Sequence, residues 1–277
     1  MKILSQFFLI ATFLISGQSM AKIVVISDLD DTIRQVNVVD MDEVIFRVAV
    51  ERIGANTITK FDKLHMIYED LNLNQEASFY YVSASYPIIY NARKWLQKND
   101  FPTGKVIQRN KRDEFNSSAF KKRILKEIIT ENDDPDTQFL FFGDNGEHDP
   151  ESYNAVVSEL NIEDRSIIMI RDVVTDATFK YEDSKELIAG THYFFTEKTL
   201  VTGPLSTLLD ETTKSQIDIE ETLADVPAYI QDNLDERIED NVCEKISKWR
   251  HPIRKIQCHY NSGQNAKEKI INYLRSR

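Results

Sequence analysis

Ile23-Val24-Val25-Ile26-Ser27 runs without a break into Asp28-Leu29-Asp30-Asp31-Thr32. The first five residues are apolar or small and show no alternation, which is the pattern of a strand buried on both faces. Three carboxylates within four positions then end the run. A hydrophobic core has no use for them, because an unpaired buried carboxylate carries a large desolvation cost. In open α/β sheets, ligands gather outside the carboxyl ends of the strands. A buried strand that delivers carboxylates to that end is a way to build a site for a metal ion and a phosphate group.

The rest of the chain repeats the pattern. Ser78–Val82 reads as a second strand and ends in Ser83-Ala84-Ser85. Pro87 is placed to open a helix that runs through Trp95 and Leu96. After the turn Phe101-Pro102-Thr103-Gly104, Lys105–Gln108 is a short strand. Ser117 or Ser118 is the expected cap of a helix from Ala119 to Thr130, with Phe120, Ile124, Leu125, Ile128 and Ile129 on one face. Gln138–Phe142 is a further core strand, closed by Gly143-Asp144-Asn145-Gly146-Glu147-His148-Asp149-Pro150. A helix at 151–160, a strand at 166–170 and a last one near His192–Phe195 follow. Strands alternating with helices predict an α/β fold, a mostly parallel sheet with helices on both faces. Residues 33–76, helical in pattern around Phe61–Tyr68, form a small insertion after the first strand, placed to cover the Asp cluster.

The two ends read differently. Met1-Lys2 precedes the apolar block Phe7–Ile15 and the small-residue stretch ending Ser19-Met20-Ala21. This is the layout of a cleavable signal peptide over 1–21, cut after Ala21. The chain is therefore expected to be exported, periplasmic or secreted. An α/β domain over 22–207 and a helical extension over 208–277 account for the remainder. Within that extension, residues 210–240 hold eleven acidic and two basic side chains, and 244–277 hold nine basic and two acidic. These halves are expected to face each other or solvent, with contact between the basic half and anionic lipid headgroups as the alternative. The formal net charge of −11 argues against general nucleic-acid binding. Cys243 and Cys258 are the only cysteines. In an exported protein they read as a disulfide worth roughly 3 kcal/mol by loop entropy. A zinc site from Cys243, His251, Cys258 and His259 fits no common spacing.

Taken together, the strand ends suggest one reaction. A carboxylate can attack phosphorus and form an aspartyl-phosphate. A second acid two residues on can protonate the leaving oxygen and later activate water. Mg2+ is held by one or two carboxylates with water and phosphate oxygens, and Asp144 would complete its shell. A hydroxyl at Ser83 suits the phosphate oxygens, and a nearby lysine would balance charge. A calcium loop of the EF-hand type is disfavoured, because Ile33 stands where its glycine belongs.

This ordered set resembles the haloacid dehalogenase superfamily. The longer strings resemble one branch, the phosphatidate phosphatase catalytic domain of a yeast actin-patch-associated enzyme and its secreted bacterial homologues. They are Ile26–Ile33, Tyr81–Ser85, Phe101–Gly104 and Phe142–Tyr153, and the likeness spans about residues 22–200. It implies a haloacid-dehalogenase-like (Rossmann-like) sheet and an Mg2+-dependent phosphoric monoester hydrolase acting on phosphatidate or a related phospholipid. By the same resemblance Asp28 is the nucleophile and Asp30 the general acid/base. Mg2+ is held by Asp28, the backbone carbonyl of Asp30, and Asp144, with Asp149 assisting. Ser83 and a helix lysine bind the phosphate. Helix spacing to Ile128 and Ile129 favours Lys121 for that lysine, with Lys122 adjacent, while Asp31 supports the loop. Tyr86 stands between Ser85 and Pro87, where the branch has proline directly, and Asn145 replaces a commoner serine. Two other readings share the fold: an inactive phospholipid-binding module, against which all the key residues stand, and a phosphotransferase to another acceptor.

Overall fold

Every residue of the first strand, β1 (Ile23–Ser27), is buried, as its unbroken apolar run requires. A computed structural model of the chain describes residues 22–36, 58–87, 89–113, 116–173 and 188–218, together with 226, 227, 230 and 268. The expected signal segment, Cys243, Cys258 and most of the charged C-terminal extension lie outside the described residues. β1 pairs in parallel with β2 (Ser78–Ser83) on one side and β4 (Gln138–Asp144) on the other. β3 (Gly104–Gln108) extends the sheet beyond β2. β5 (Ser166–Arg171) and β6 (Thr191–Phe194) extend it beyond β4. The result is a six-stranded parallel sheet in the order β3-β2-β1-β4-β5-β6.

Successive side chains of a strand point to opposite faces, so each core strand feeds two layers. Ile23 and Val25 join one apolar cluster and Val24 and Ile26 the other. Leu140 and Phe142 likewise part from Phe139 and Phe141 along β4. The first cluster is covered by α1 (Asp62–Asn74), α2 (Ala92–Lys98), α5 (Glu197–Thr202) and α6 (Glu211–Ile217). The second is covered by α3 (Ser117–Glu131) and α4 (Asp149–Glu159). Helices thus lie on both faces, as the alternation of elements predicts.

Three local expectations change. The helix expected from Pro87 begins at Ala92, because the Asn91 side chain caps it by accepting from the Lys94 amide at 3.0 Å. The segment before it turns instead, with the Ile89 amide donating to the Tyr86 carbonyl at 2.8 Å. Asn116, rather than Ser117 or Ser118, caps α3 by accepting from the Ala119 amide. The described end of the insertion is a core helix and not a cover. Leu64, Ile67, Tyr68 and Leu71 of α1 are buried against β1, β2 and β4, and residues 37–57 lie outside the description.

The start of the C-terminal segment docks on α1. The Asp210 amide donates to Asp70 at 3.0 Å, Gln75 donates to the Leu208 carbonyl at 2.9 Å, and Ile217 is buried. Among the described residues, no helix is long and apolar enough to cross a membrane.

Candidate active site

Connections leave β1 toward β2 on one side, while β4 begins the other half of the sheet. This strand order opens a crevice outside the carboxyl ends of β1 and β4, where the order reverses. The Asp28 amide donates to the Phe142 carbonyl at 2.9 Å, carrying the pairing one residue beyond β1. Leu29, fully buried, then pins the loop to the core, and its carbonyl accepts from the amides of Ile33 and Arg34. Asp31 makes the bend. Its φ is +56°, its amide donates to the Arg34 carbonyl, and its carboxylate accepts from the Val36 amide at 2.7 Å. An aspartate tolerates the left-handed region better than most residues, and here its side chain closes the turn as well.

The turn aims Asp28 at the end of β4. Carboxylate oxygens of Asp28, Asp144 and Asp149, one from each, lie within 4.8 Å of one another, and all three residues are buried. Lys121 of α3 reaches into the cluster. Its Nζ is 2.8 Å from Asp28 Oδ1 and 2.5 Å from Asp149 Oδ1. Lys122, the next residue, is only half-buried. Burial, followed by the neighbouring carboxylate Asp149, holds the Asp28 and Asp144 carboxyls well above the usual carboxylate range, although Lys121 pulls both down. Burial alone would lower Lys121, but Asp149 and Asp28 hold its ammonium above the ordinary lysine value.

When ionised, the three carboxylates outweigh the one ammonium by two charges. An all-oxygen donor set of that charge fits a hard divalent cation. The loop after β4 is held in turn: Asp144 accepts from the Gly146 amide at 2.7 Å and from the Thr32 hydroxyl at 3.4 Å.

Asp30 stands apart from that triad. Its Oδ1 accepts from Arg34 at 2.5 Å, and its Oδ2 accepts from the hydroxyls of Ser85 at 3.0 Å and Tyr90 at 3.2 Å. Burial, followed by Asp30, pushes the Tyr90 phenol up, so it stays a donor. Ser83, also buried, lies 3.3 Å from Tyr90 Oη and accepts from the Ser85 amide at 3.1 Å. The Arg34 guanidinium stacks 3.6 Å over the Tyr90 ring. Around these groups a cleft of about 370 Å³ is lined by Asp28, Asp30, Ala84, Ser85, Tyr86, Ile89, Arg109, Ser117, Asp144 and Glu147.

Arg34, Tyr90 and Arg171 escape a reading of the sequence. Arg171 ends β5, is buried, pairs with Glu197 at 2.6 Å, and donates to the Thr32 carbonyl at 3.3 Å. The available signal was an arginine closing an apolar strand, and an arginine four residues after Asp30.

The family described as "Phosphatidate phosphatase APP1, catalytic domain" matches residues 23–172, from the first residue of β1 to the residue after β5. The chain belongs to this family, which is one of phosphoric monoester hydrolases with a haloacid-dehalogenase-like α/β fold. No curated protein and no solved structure matches it.

Proposed function

We propose that the chain is an exported, Mg2+-dependent phosphatase that hydrolyses phosphatidate or a related phospholipid through an aspartyl-phosphate on Asp28. The observation that supports this most directly is the buried Asp28–Asp144–Asp149 cluster on Lys121, open to a cleft at the switch point of the sheet. Export rests on the character of residues 1–21 alone.

In the first step a carboxylate oxygen of Asp28 attacks phosphorus as the ester P–O bond breaks, and Asp30 gives a proton to the leaving alkoxide. In the second, Asp30 takes a proton from water, which attacks phosphorus, and Asp28 is released with inorganic phosphate. The donors around Asp30 suit the second step, because Arg34, Ser85 and Tyr90 meet it as an acceptor. Lys121 balances charge on Asp28 and on the transferring group, and Ser83 at the end of β2 meets a phosphate oxygen. Mg2+, when bound by Asp28, the Asp30 carbonyl and Asp144 with Asp149 assisting, supplies positive charge to the phosphate oxygens.

Phosphate release from phosphatidate in mixed micelles, lysophosphatidate, nucleotides and a soluble aryl phosphate, each with Mg2+ or a chelator, tests the reading. Turnover of the lipids with Mg2+, reduced by roughly a thousandfold or more in Asp28→Asn, is the expected result. Full activity in Asp28→Asn sinks the covalent mechanism. Turnover of soluble esters without the lipids removes the substrate assignment and leaves the chemistry.

A further inference from the structure

The surface of this acidic chain is not uniformly acidic. Residues 93–112 hold seven basic side chains and one acidic one, in a chain whose net charge is −11. Topology sorts them. Because β2 and β3 are parallel, α2 starts at the carboxyl edge of the sheet and runs back to the other edge. Arg93 and Lys94 in its first turn, and Arg109, Lys111 and Arg112 just after β3, therefore share the edge that carries the cleft. Gln108 ties the two pieces together, accepting from the Ala92 amide at 3.2 Å and donating to the Tyr90 carbonyl at 3.3 Å.

The turn after β3 is built to hold its charges outward. The Asn110 amide donates to Asp113 at 2.7 Å and the Arg112 amide donates to Asn110 Oδ1 at 2.9 Å. Asp113, at the end of that turn, is also paired with Arg123 at 2.8 Å, and Glu114 follows it in the sequence. Arg93, Lys94, Lys111 and Arg112 are all exposed. Beside them lie the exposed Pro87 and the half-buried Tyr86 and Ile89, with Arg109 stacked 4.6 Å over the Tyr86 ring. The exposed Glu147, from the loop after β4, also lines the cleft. On its β3 side the cleft thus has a lip that is basic and partly apolar, while Glu147 borders it from the β4 side.

We propose that the basic lip is a docking surface for an anionic lipid bilayer, which brings the cleft to a substrate held in the membrane plane. The inference rests on the phospholipid reading above. A bilayer fits better than a soluble polyanion because basic groups here flank an aromatic and aliphatic edge, the combination that favours the headgroup layer. A chain of net negative charge is repelled by an anionic surface unless it presents such a face, so the lip also sets orientation.

Full-length protein is sedimented with vesicles of phosphatidylcholine, with and without phosphatidylserine at about one-fifth of the lipid. Neither lipid is the proposed substrate, so binding is read without turnover. Wild type is expected to prefer the anionic vesicles and to lose that preference in high salt. The variant Arg93→Glu/Lys94→Glu/Lys111→Glu/Arg112→Glu should bind them about tenfold or more weakly. Its hydrolysis of a soluble aryl phosphate should stay within about twofold of wild type, because no substituted group faces the reacting atoms. Equal binding to both vesicle types overturns the proposal, as does unchanged binding by the variant. Retention on heparin or duplex DNA with no vesicle binding overturns it in favour of a soluble polyanion. Anionic-vesicle binding in a protein that fails to hydrolyse phosphatidate supports the surface while removing the substrate assignment, so the two claims fail separately.

Discussion

At position 143 a methyl group has nowhere to go: a Cβ there would lie 2.7 Å from Asp149 Oδ2 and 2.8 Å from both Asp149 Cβ and Tyr153 Cε2. Glycine is needed for space, so that Asp149 can lie against the end of β4 and reach Lys121. Gly143→Ala should destabilise the fold by about 1–3 kcal/mol through overpacking. It should also displace Asp149 and lower phosphate release. Urea unfolding together with initial rates on a soluble ester checks this, and a variant unchanged in both would refute the close-packing account. Lys121 and Lys122 show the same precision in rotation. Both are on α3, but only Lys121 lies on the face that carries Phe120, Ile124 and Leu125 into the core.

Among elements, the end of β5 holds the loop that follows β1. The Arg171 guanidinium lies 3.6 Å over the Phe61 ring, pairs with Glu197 of α5, and donates to the Thr32 carbonyl. Thr32 in turn donates to Asp144. This couples α5 and β5 to the loop that carries Asp28 and Asp30. Removing one partner leaves an uncompensated buried charge, so Arg171→Met or Glu197→Gln should cost about 3–5 kcal/mol. Arg171→Met/Glu197→Met should cost less than Arg171→Met alone, because no charge is then stranded. Denaturant midpoints of the three variants measure this, and additive losses in the double variant would show that the pair does not act as a unit.

For the whole molecule, the buried charge cluster links stability, pH and metal. Asp28 and Asp144 have folded-state values raised above 3.8, chiefly by burial. Without metal, each holds its proton in the folded state at a pH where the unfolded chain has released it. Their contribution to stability is therefore full below 3.8 and declines as pH rises toward the raised values. A divalent cation needs the ionised forms, so it competes with those protons. The gain in Tm given by Mg2+ over a chelator should therefore grow from about pH 4 to about pH 7. Thermal unfolding in the two conditions across that range tests it, and a gain that shrinks with rising pH contradicts the assignment of the triad.

What is local can be read from the order of residues. β1 has the bounds Ile23–Ser27 that its apolar run predicts, and the α3 face follows from its 3.6-residue period. The acidic endings of β1 and β4 are legible because carboxylates do not belong on buried strands without a partner. Asp31, expected to support the loop, makes its bend. Which charges meet depends on the folded chain. It brings Asp28, Asp144 and Asp149 around Lys121, assigns Asp30 to Arg34, Ser85 and Tyr90, and sends Arg171 to Thr32. It also makes α1 part of the core and starts α2 at Ala92. Periodicity states which side of an element is buried, whereas the partner of a polar group depends on strand order and on the turn taken beyond each strand.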